Sequence, residues 1–251
     1  LHAENILLKI FLCPPAYCHL QFLLLLIYFS EKNGLRTLRA NSISTMALKT
    51  FVKLDSITNL TDARYGSGMY VNLLGFDLDK TSDTYVSPEL FNEITGWVSG
   101  VEFVGEFTQA ASFSPLEVLK DYPAVTWVES SDIEVVKSLL GSEYSLIYNV
   151  QLEDLYSLTV ETVGLLSGAG ILVHVCSDSN DLSDTHIDQL ARLSKACKVI
   201  LGAGINEENV LELVESTGIF GISLSGGEEL KPGLKDLNEL ADILEKLETE
   251  E

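Results

Sequence analysis

KVILGAGINEENVLELVESTGIFGISLSGG, residues 198–227, contains two short apolar runs separated by a helix-spaced segment, and each run ends in a glycine-containing turn. KVILGAG (198–204) and FGISLSGG (220–227) read as strands buried on both faces, because their apolar residues are consecutive rather than alternating. NEENVLELVEST (206–217), between them, repeats its apolar positions at helical spacing. Strand, helix and strand in that order predict parallel pairing with the helix covering one face.

The same alternation extends in both directions. Toward the N-terminus it runs through FVKLDSI (51–57) and NLTDARYGSGMY (59–70), VNLLGFDLD (71–79) and SPELFNEITGWVS (87–99), then VEFVGEF (101–107) and SPLEVLKDY (114–122). It continues with AVTWVES (124–130) and DIEVVKSLL (132–140), YSLIYNVQ (144–151) and LEDLYSLTVETVGLL (152–166), GILVHVCS (170–177) and DTHIDQLARLSKA (184–196). DLNELADILEKLE (236–248) closes the series. Eight strand–helix units between residues 46 and 251 predict an α/β fold, a parallel eight-stranded (β/α)8 or TIM barrel. The working groups of such a barrel sit at the C-terminal ends of its strands. That rule selects Asp55, Asp77, Asp79, Glu106, Glu129, Gln151, His174, Asp178, Gly202–Gly204 and Ser223–Gly227.

Composition narrows the partners. The chain has 251 residues and a formal net charge of −21. Such a field repels phosphate backbones, so nucleic acid is not expected as a partner. An anionic ligand must be held by local donors. Cys13, Cys18, Cys176 and Cys197 lack CxxC spacing, and the reading is reduced thiols in a cytoplasmic protein, without a disulfide framework or zinc site. Asp77 and Asp79 suggest a magnesium site, but two carboxylates on one loop are more often solvent-facing caps, so no metal and no cofactor is expected.

Residues 1–45 differ in character from the rest of the chain. They carry Lys9, Lys32, Arg36 and Arg39 against Glu4 and Glu31, and the apolar run QFLLLLIYF (21–29). That run is short of the roughly 20 residues a membrane helix needs. The expectation is a leader outside the fold, from a mis-extended start or a signal-like segment. Residues 46–251 then form a single barrel domain with no membrane association.

The turns after the last two strands predict a phosphate site. Gly202, Ala203 and Gly204 precede a helix pattern, and Ser225, Gly226 and Gly227 follow the final strand. Small residues let backbone N–H groups approach an anion, and a helix N-terminus adds partial positive charge. The expected partner is a phosphorylated small molecule. Monomer and homodimer both remain open.

Four segments together resemble one family. KLDSITNLTDAR (53–64) is similar to the KICGITN-x-x-DA opening of phosphoribosylanthranilate isomerases, and GFDLDKTSDTYVSPE (75–89) to their GF-x-F-x-x-x-SPRYVSPE segment. LGAGINEENV (201–210) resembles LAGGL-x-PENV, and GISLSGGEELKPGLKD (221–236) resembles GVDVSSGVE-x-x-PGVKD. The matches run in order over nearly all of residues 46–251. The resemblance implies an Amadori rearrangement in tryptophan biosynthesis, an aldose–ketose isomerisation within one molecule. In that family a cysteine ending strand 1 is the general base and an aspartate ending strand 6 the general acid. An arginine after strand 2 helps hold the anthranilate carboxylate.

The chemistry-bearing positions depart from the pattern. Asp55 stands at the base position, Ser56 replaces the following glycine, and His174 falls at the acid position. Thr84 replaces the arginine, TWVE (126–129) replaces QLHG, and CSDSNDLSD (176–184) replaces a glycine-rich loop. Aspartate is ordinarily a much weaker base than cysteine, with reference pKa values of about 3.9 and about 8.5. Yet the related sugar-phosphate isomerase of histidine biosynthesis uses an aspartate at the corresponding strand end. A histidine is a competent acid near neutrality. The readings left open are a divergent isomerase with weakened or changed activity, and a non-catalytic binder of a phosphorylated ligand.

Overall fold

The computed structural model describes residues 47–107, 114–177, 179, 181–227, 229–231 and 234–249. The expected leader lies outside them, as does Asp178. Eight strands form a closed barrel in sequence order: β1 (Phe51–Asp55), β2 (Leu73–Asp77), β3 (Glu102–Phe107), β4 (Val125–Ser130), β5 (Ser145–Gln151), β6 (Leu172–Cys176), β7 (Val199–Gly202) and β8 (Gly221–Ser225). Every neighbouring pair is parallel, and β8 closes on β1 over five residue pairs, from Phe51 opposite Gly221 to Asp55 opposite Ser225. Eight helices alternate with them: α1 (Leu60–Gly68), α2 (Pro88–Thr95), α3 (Pro115–Leu119), α4 (Ile133–Ser138), α5 (Val160–Gly168), α6 (Asp184–Leu193), α7 (Val210–Thr217) and α8 (Asn238–Leu247). None of the described helices is long and apolar enough to cross a membrane.

Local chemistry explains the boundaries. Ser87 caps α2 by accepting from the Leu90 amide, with Pro88 at the first helical position. Asn59, Asp132, Thr159 and Ser183 cap α1, α4, α5 and α6 in the same way. Gly218, at φ +65°, ends α7 in the left-handed conformation that suits glycine.

Two expectations need correction. The helix anticipated over 152–166 is a 3₁₀ segment, Leu152–Ser157, followed by α5. Leu158 is extended, and Thr159 spends its hydroxyl on capping Thr162, so a new helix starts there. The helix anticipated from Asn206 begins at Val210, because the Asn206 side chain binds the amides of Glu208 and Asn209 in a turn. The sequence reading also missed an antiparallel hairpin between β8 and α8, made by β9 (Glu229–Lys231) and β10 (Leu234–Lys235).

Side chains alternate across each strand. One set faces the helices and forms the main apolar core, including Val52, Leu54, Leu74, Phe76, Val173, Val199 and Ile222. The other set faces the barrel axis, where Leu73, Val104, Ile147, Leu172 and Ile200 form an apolar layer toward the N-terminal end. Burying each such side chain contributes about 1.5–3 kcal/mol. Beyond that layer, toward the C-terminal ends, the axis-facing positions become polar. The closed ring thereby delivers charged side chains from separate strands to one buried cluster.

Candidate active site

Lys53 is the hub of the cluster. It stands two residues before Asp55 on β1, so both side chains face the axis. Its ammonium is fully buried and pairs with Asp55, with Glu106 at 2.6 Å and with Glu129 at 2.8 Å. Burial works against its charge, but three carboxylates more than offset that and hold its pKa well above the ordinary lysine value. Lys53 is therefore an ammonium ion rather than a nucleophilic amine.

Asp55 and His174 face each other, with Oδ2 and Nε2 3.8 Å apart. Asp55 is fixed from two sides, by Lys53 on Oδ1 and by the Ser223 hydroxyl on Oδ2. His174 donates from Nδ1 to Glu129 Oε1 at 2.7 Å; a carboxylate only accepts, so that nitrogen carries the proton. Asn149 donates to the same oxygen at 2.6 Å. Nε2 of His174 is buried and has no hydrogen-bond partner among the described residues. Burial lowers the histidine pKa, but Glu129 and Asp55 outweigh it and leave the value raised.

The remaining carboxylates divide. Burial, assisted by Asp55 and Glu129, pushes the Glu106 carboxyl up to about 8 despite its bond to Lys53. Glu129 goes the other way: burial opposes its charge, but Lys53 and His174 hold it well below the usual carboxylate range. With Glu106 neutral, the charges on Lys53 and protonated His174 balance those on Asp55 and Glu129. A cluster of this kind tolerates burial because each charge is paired.

Asp55, Glu129 and His174 offer ligand atoms within 4.8 Å of one another, a spacing that suits a metal ion. The Lys53 ammonium already contacts both carboxylates of that trio and competes directly with any cation there. Cys176, at the end of β6, gives its thiol hydrogen to Asn149 at 3.0 Å. Burial and the nearby Glu129 and Asp55 charges push its pKa up to about 11, so it remains a thiol near neutrality.

The structure brings both expected catalytic positions together and refines the anion turns. Gly202 ends β7 beside His174, and a Cβ there would lie 2.7 Å from Nε2. Its lack of a side chain thus makes room for the histidine. Ala203 is buried, and Gly204 adopts φ +65° with its carbonyl bound by Asn209 at 2.7 Å. Ser225 ends β8 and is exposed. The Gly227 amide donates to the Asp236 carbonyl at 2.8 Å, so it is engaged within the chain, and Gly226 packs under Lys235. Because α7 starts at Val210, its N-terminus lies farther along the chain from Gly204 than the sequence reading assumed.

At the β2 end, Asp77 accepts from the Thr84 hydroxyl at 2.9 Å and from the Asp79 amide at 2.9 Å. Asp79 accepts from the Thr81 amide and hydroxyl. Both carboxylates are buried and serve as acceptors in their own loop. Among the described residues neither makes an ion pair, and both are buried rather than solvent-facing as the sequence reading expected.

Sequence reasoning gave Glu106 and Glu129 no role beyond strand-end candidates, and it missed Lys53 and Asn149. A period-two reading was the available signal, since Lys53 precedes Asp55 by two residues and Asn149 precedes Gln151 by two. A cavity of about 800 Å³ opens at the opposite, N-terminal end, lined by Phe51, Asn72 and Phe220 among others. Its charged lining residues are Lys49 and Lys198, and it holds no acid–base pair.

Comparison with known proteins agrees with this frame. A family model described as N-(5'-phosphoribosyl)anthranilate (PRA) isomerase matches residues 181–246. The N-(5'-phosphoribosyl)anthranilate isomerase of Nitrosomonas eutropha is 24% identical over 209 residues, covering 77% of this chain and 94% of that protein. The Thermotoga neapolitana enzyme is 28% identical over 208 residues, covering 78% and 97%. The crystal structure of the Thermus thermophilus isomerase superposes with TM-score 0.62 at 22% identity, over 78% of this chain and 98% of that one. A structure of the isomerase bound to reduced 1-(o-carboxyphenylamino)-1-deoxyribulose 5-phosphate gives TM-score 0.59 at 22% identity, over 79% and 98%. Over the barrel the chain is thus similar to the phosphoribosylanthranilate isomerases, with Asp55 and His174 at the strand ends where the resemblance places a base and an acid.

Proposed function

We propose that the chain catalyses an Amadori-type aldose–ketose isomerisation of a 5-phosphorylated, N-substituted ribosylamine. The observation that carries this reading is the 3.8 Å separation of Asp55 Oδ2 and His174 Nε2 at the C-terminal mouth of the barrel. In the first step His174 gives its Nε2 proton to the ring oxygen. The C1–O bond breaks and the nitrogen lone pair forms a C1=N iminium. Asp55 then takes the proton from C2, and the C–H electrons make the C1=C2 bond of an enaminol. Tautomerisation, with a proton returned to C1, yields the ketose. No electron acceptor is required.

Each group is held for its task. Glu129 stabilises the imidazolium and orients the ring, while Lys53 and Ser223 hold the Asp55 carboxylate in place. The Gly202–Gly204 turn and the Ser225–Gly226 turn would take the phosphate, supported by the left-handed Gly204 and the exposed Ser225. A facing acid and base, each oriented by its own partners, favour turnover over mere retention of a ligand.

The test is ketose formation by the purified protein from N-(5'-phosphoribosyl)anthranilate and from phosphoribosylamines of other amines. Asp55→Asn is expected to lower kcat by about 10²–10⁴-fold, the range for losing a general base. Failure of the unaltered protein to convert any of them would refute the isomerase reading.

A further inference from the structure

Two backbone contributions to the expected phosphate grip are reduced. Gly227 spends its amide on the Asp236 carbonyl, and α7 begins at Val210, six residues past Gly204. In a chain of formal net charge −21, an anion at these turns needs a further local source of positive charge.

Lys235, the last residue of β10, stands where that charge is required. Its side chain lies across the bare Cα of Gly226: a Cβ at residue 226 would fall 2.8 Å from Lys235 Cδ. Its ammonium donates to the Ser56 carbonyl at 3.3 Å. β1 and β8 are neighbours with Asp55 opposite Ser225, so Ser56 lies beside the Ser225–Gly226 turn. The ammonium therefore sits at the seam of the first and last strands, at the C-terminal mouth. The side chain is 18% exposed, so a ligand can reach it.

Its bonding capacity is largely unspent. A lysine ammonium carries three donors, and among the described residues Lys235 makes one hydrogen bond, the long one to Ser56. Its ion pair with Asp62 spans 3.6 Å, beyond the roughly 2.7–2.9 Å of a charge-assisted hydrogen bond. Asp62 is buried, and its Oδ2 already accepts from Asn59 at 2.8 Å. Its Oδ1 has no hydrogen-bond partner among the described residues. Lys53, also on β1, is committed to three carboxylates and does not take this role. A phosphate oxygen at the turn offers Lys235 shorter, charge-assisted bonds than those it makes with Ser56 and Asp62.

We infer that Lys235 is a phosphate-binding residue, and that Asp62 competes with the phosphate for its ammonium. The inference rests on the reading above in one respect, the placing of the phosphate at the Gly202–Gly204 and Ser225–Gly226 turns.

Calorimetry on the whole chain with ribose 5-phosphate tests it. Lys235→Met keeps the apolar stem and removes the charge. It is expected to weaken binding by about 10- to 100-fold, the range for losing a hydrogen bond to a charged group. Asp62→Asn removes the competitor and is expected to tighten binding at least twofold. A purely structural ion pair predicts otherwise, since breaking it from either side would weaken binding or leave it unchanged. Thermal melts show which variants fold; should Lys235→Met fail to do so, the sign of the Asp62→Asn effect decides. Unchanged affinity in Lys235→Met, weaker or unchanged binding in Asp62→Asn, or no binding of ribose 5-phosphate by the unaltered protein would overturn the inference. Ketose formation from N-(5'-phosphoribosyl)anthranilate, measured in parallel, separates the two claims. Binding that depends on Lys235 without turnover sinks the isomerase reading alone. Turnover with the same KM in Lys235→Met sinks the Lys235 inference alone.

Discussion

The carboxyl group of Glu106 occupies the space beside the bare Cα of Gly75: a Cβ at residue 75 would lie 1.8 Å from Glu106 Oε1. The two residues sit on adjacent strands, and Glu106 is held there by Lys53 at 2.6 Å. The glycine is thus a steric condition for the buried charge cluster. Gly75→Ala should lower the unfolding free energy by about 1–3 kcal/mol, the usual cost of overpacking. Urea denaturation checks it, with a lower midpoint at an unchanged slope as the expected result.

Stability should fall as pH rises from about 5 to about 9. Glu106 has a folded pKa of about 8 against an ordinary 4.5, so the folded state binds more protons over that interval. Its stabilising contribution is complete below the unfolded value and is lost as pH passes the folded one. His174, raised above 6.5, acts in the same direction, its contribution disappearing as pH climbs through its folded value. Glu129 is lowered, so its contribution is present above pH 4.5 and is lost only in acid. Each pKa unit corresponds to about 1.4 kcal/mol at most. Denaturation curves at pH 5, 7 and 9 should show the decline, and Glu106→Gln should flatten it. A flat profile for the unaltered protein would contradict the assignment of Glu106 as a neutral acid.

Gly202→Ala should damage the acid step while leaving the fold largely intact. The added methyl would meet His174 Nε2 at 2.7 Å, and the ring would have to tilt away from Asp55. A misplacement of about 1 Å in a catalytic group costs on the order of 10²-fold. The measurement is kcat for ketose formation beside a thermal melt. Unchanged kcat would mean that His174 does not act from its position in the structure.

Ser56→Gly should stabilise the protein. Ser56 follows β1 at φ +51°, a left-handed conformation that costs a residue with a Cβ roughly 1–2 kcal/mol. Its amide donates to Glu106 Oε2 at 3.3 Å and its carbonyl accepts from Lys235, so the surroundings hold the strained geometry. Glycine adopts it freely but loses more chain entropy on folding. A net gain of about 0.5–1 kcal/mol in chemical denaturation is expected. A loss would show that the serine side chain supplies more than its contacts indicate.

The alternation of apolar strands and amphipathic helices, the cap at Ser87, and the glycine turns at 202–204 and 225–227 were all legible in the chain. Each depends on neighbours within a few residues, where backbone sterics and local hydrogen bonds decide the outcome. Asp55 and His174 were legible as well, because the barrel rule sends strand-end residues to the mouth. The break at Leu158 and the delayed start of α7 were less so, since each turns on which side chain wins a competition for backbone amides.

The sequence by itself thus determined a ring of eight strand–helix units with Asp55 and His174 at strand ends facing its mouth. Only the tertiary structure decided what those groups are. Lys53, Glu106, Glu129, Asn149 and His174 come from five strands spread over more than a hundred residues, and no local pattern links them. Barrel closure puts them in contact, and removal from water makes their charges depend on one another. Even the reason for a glycine at 75 or 202 belongs to a side chain on a neighbouring strand, because the space a residue must leave empty is defined by whatever folds against it.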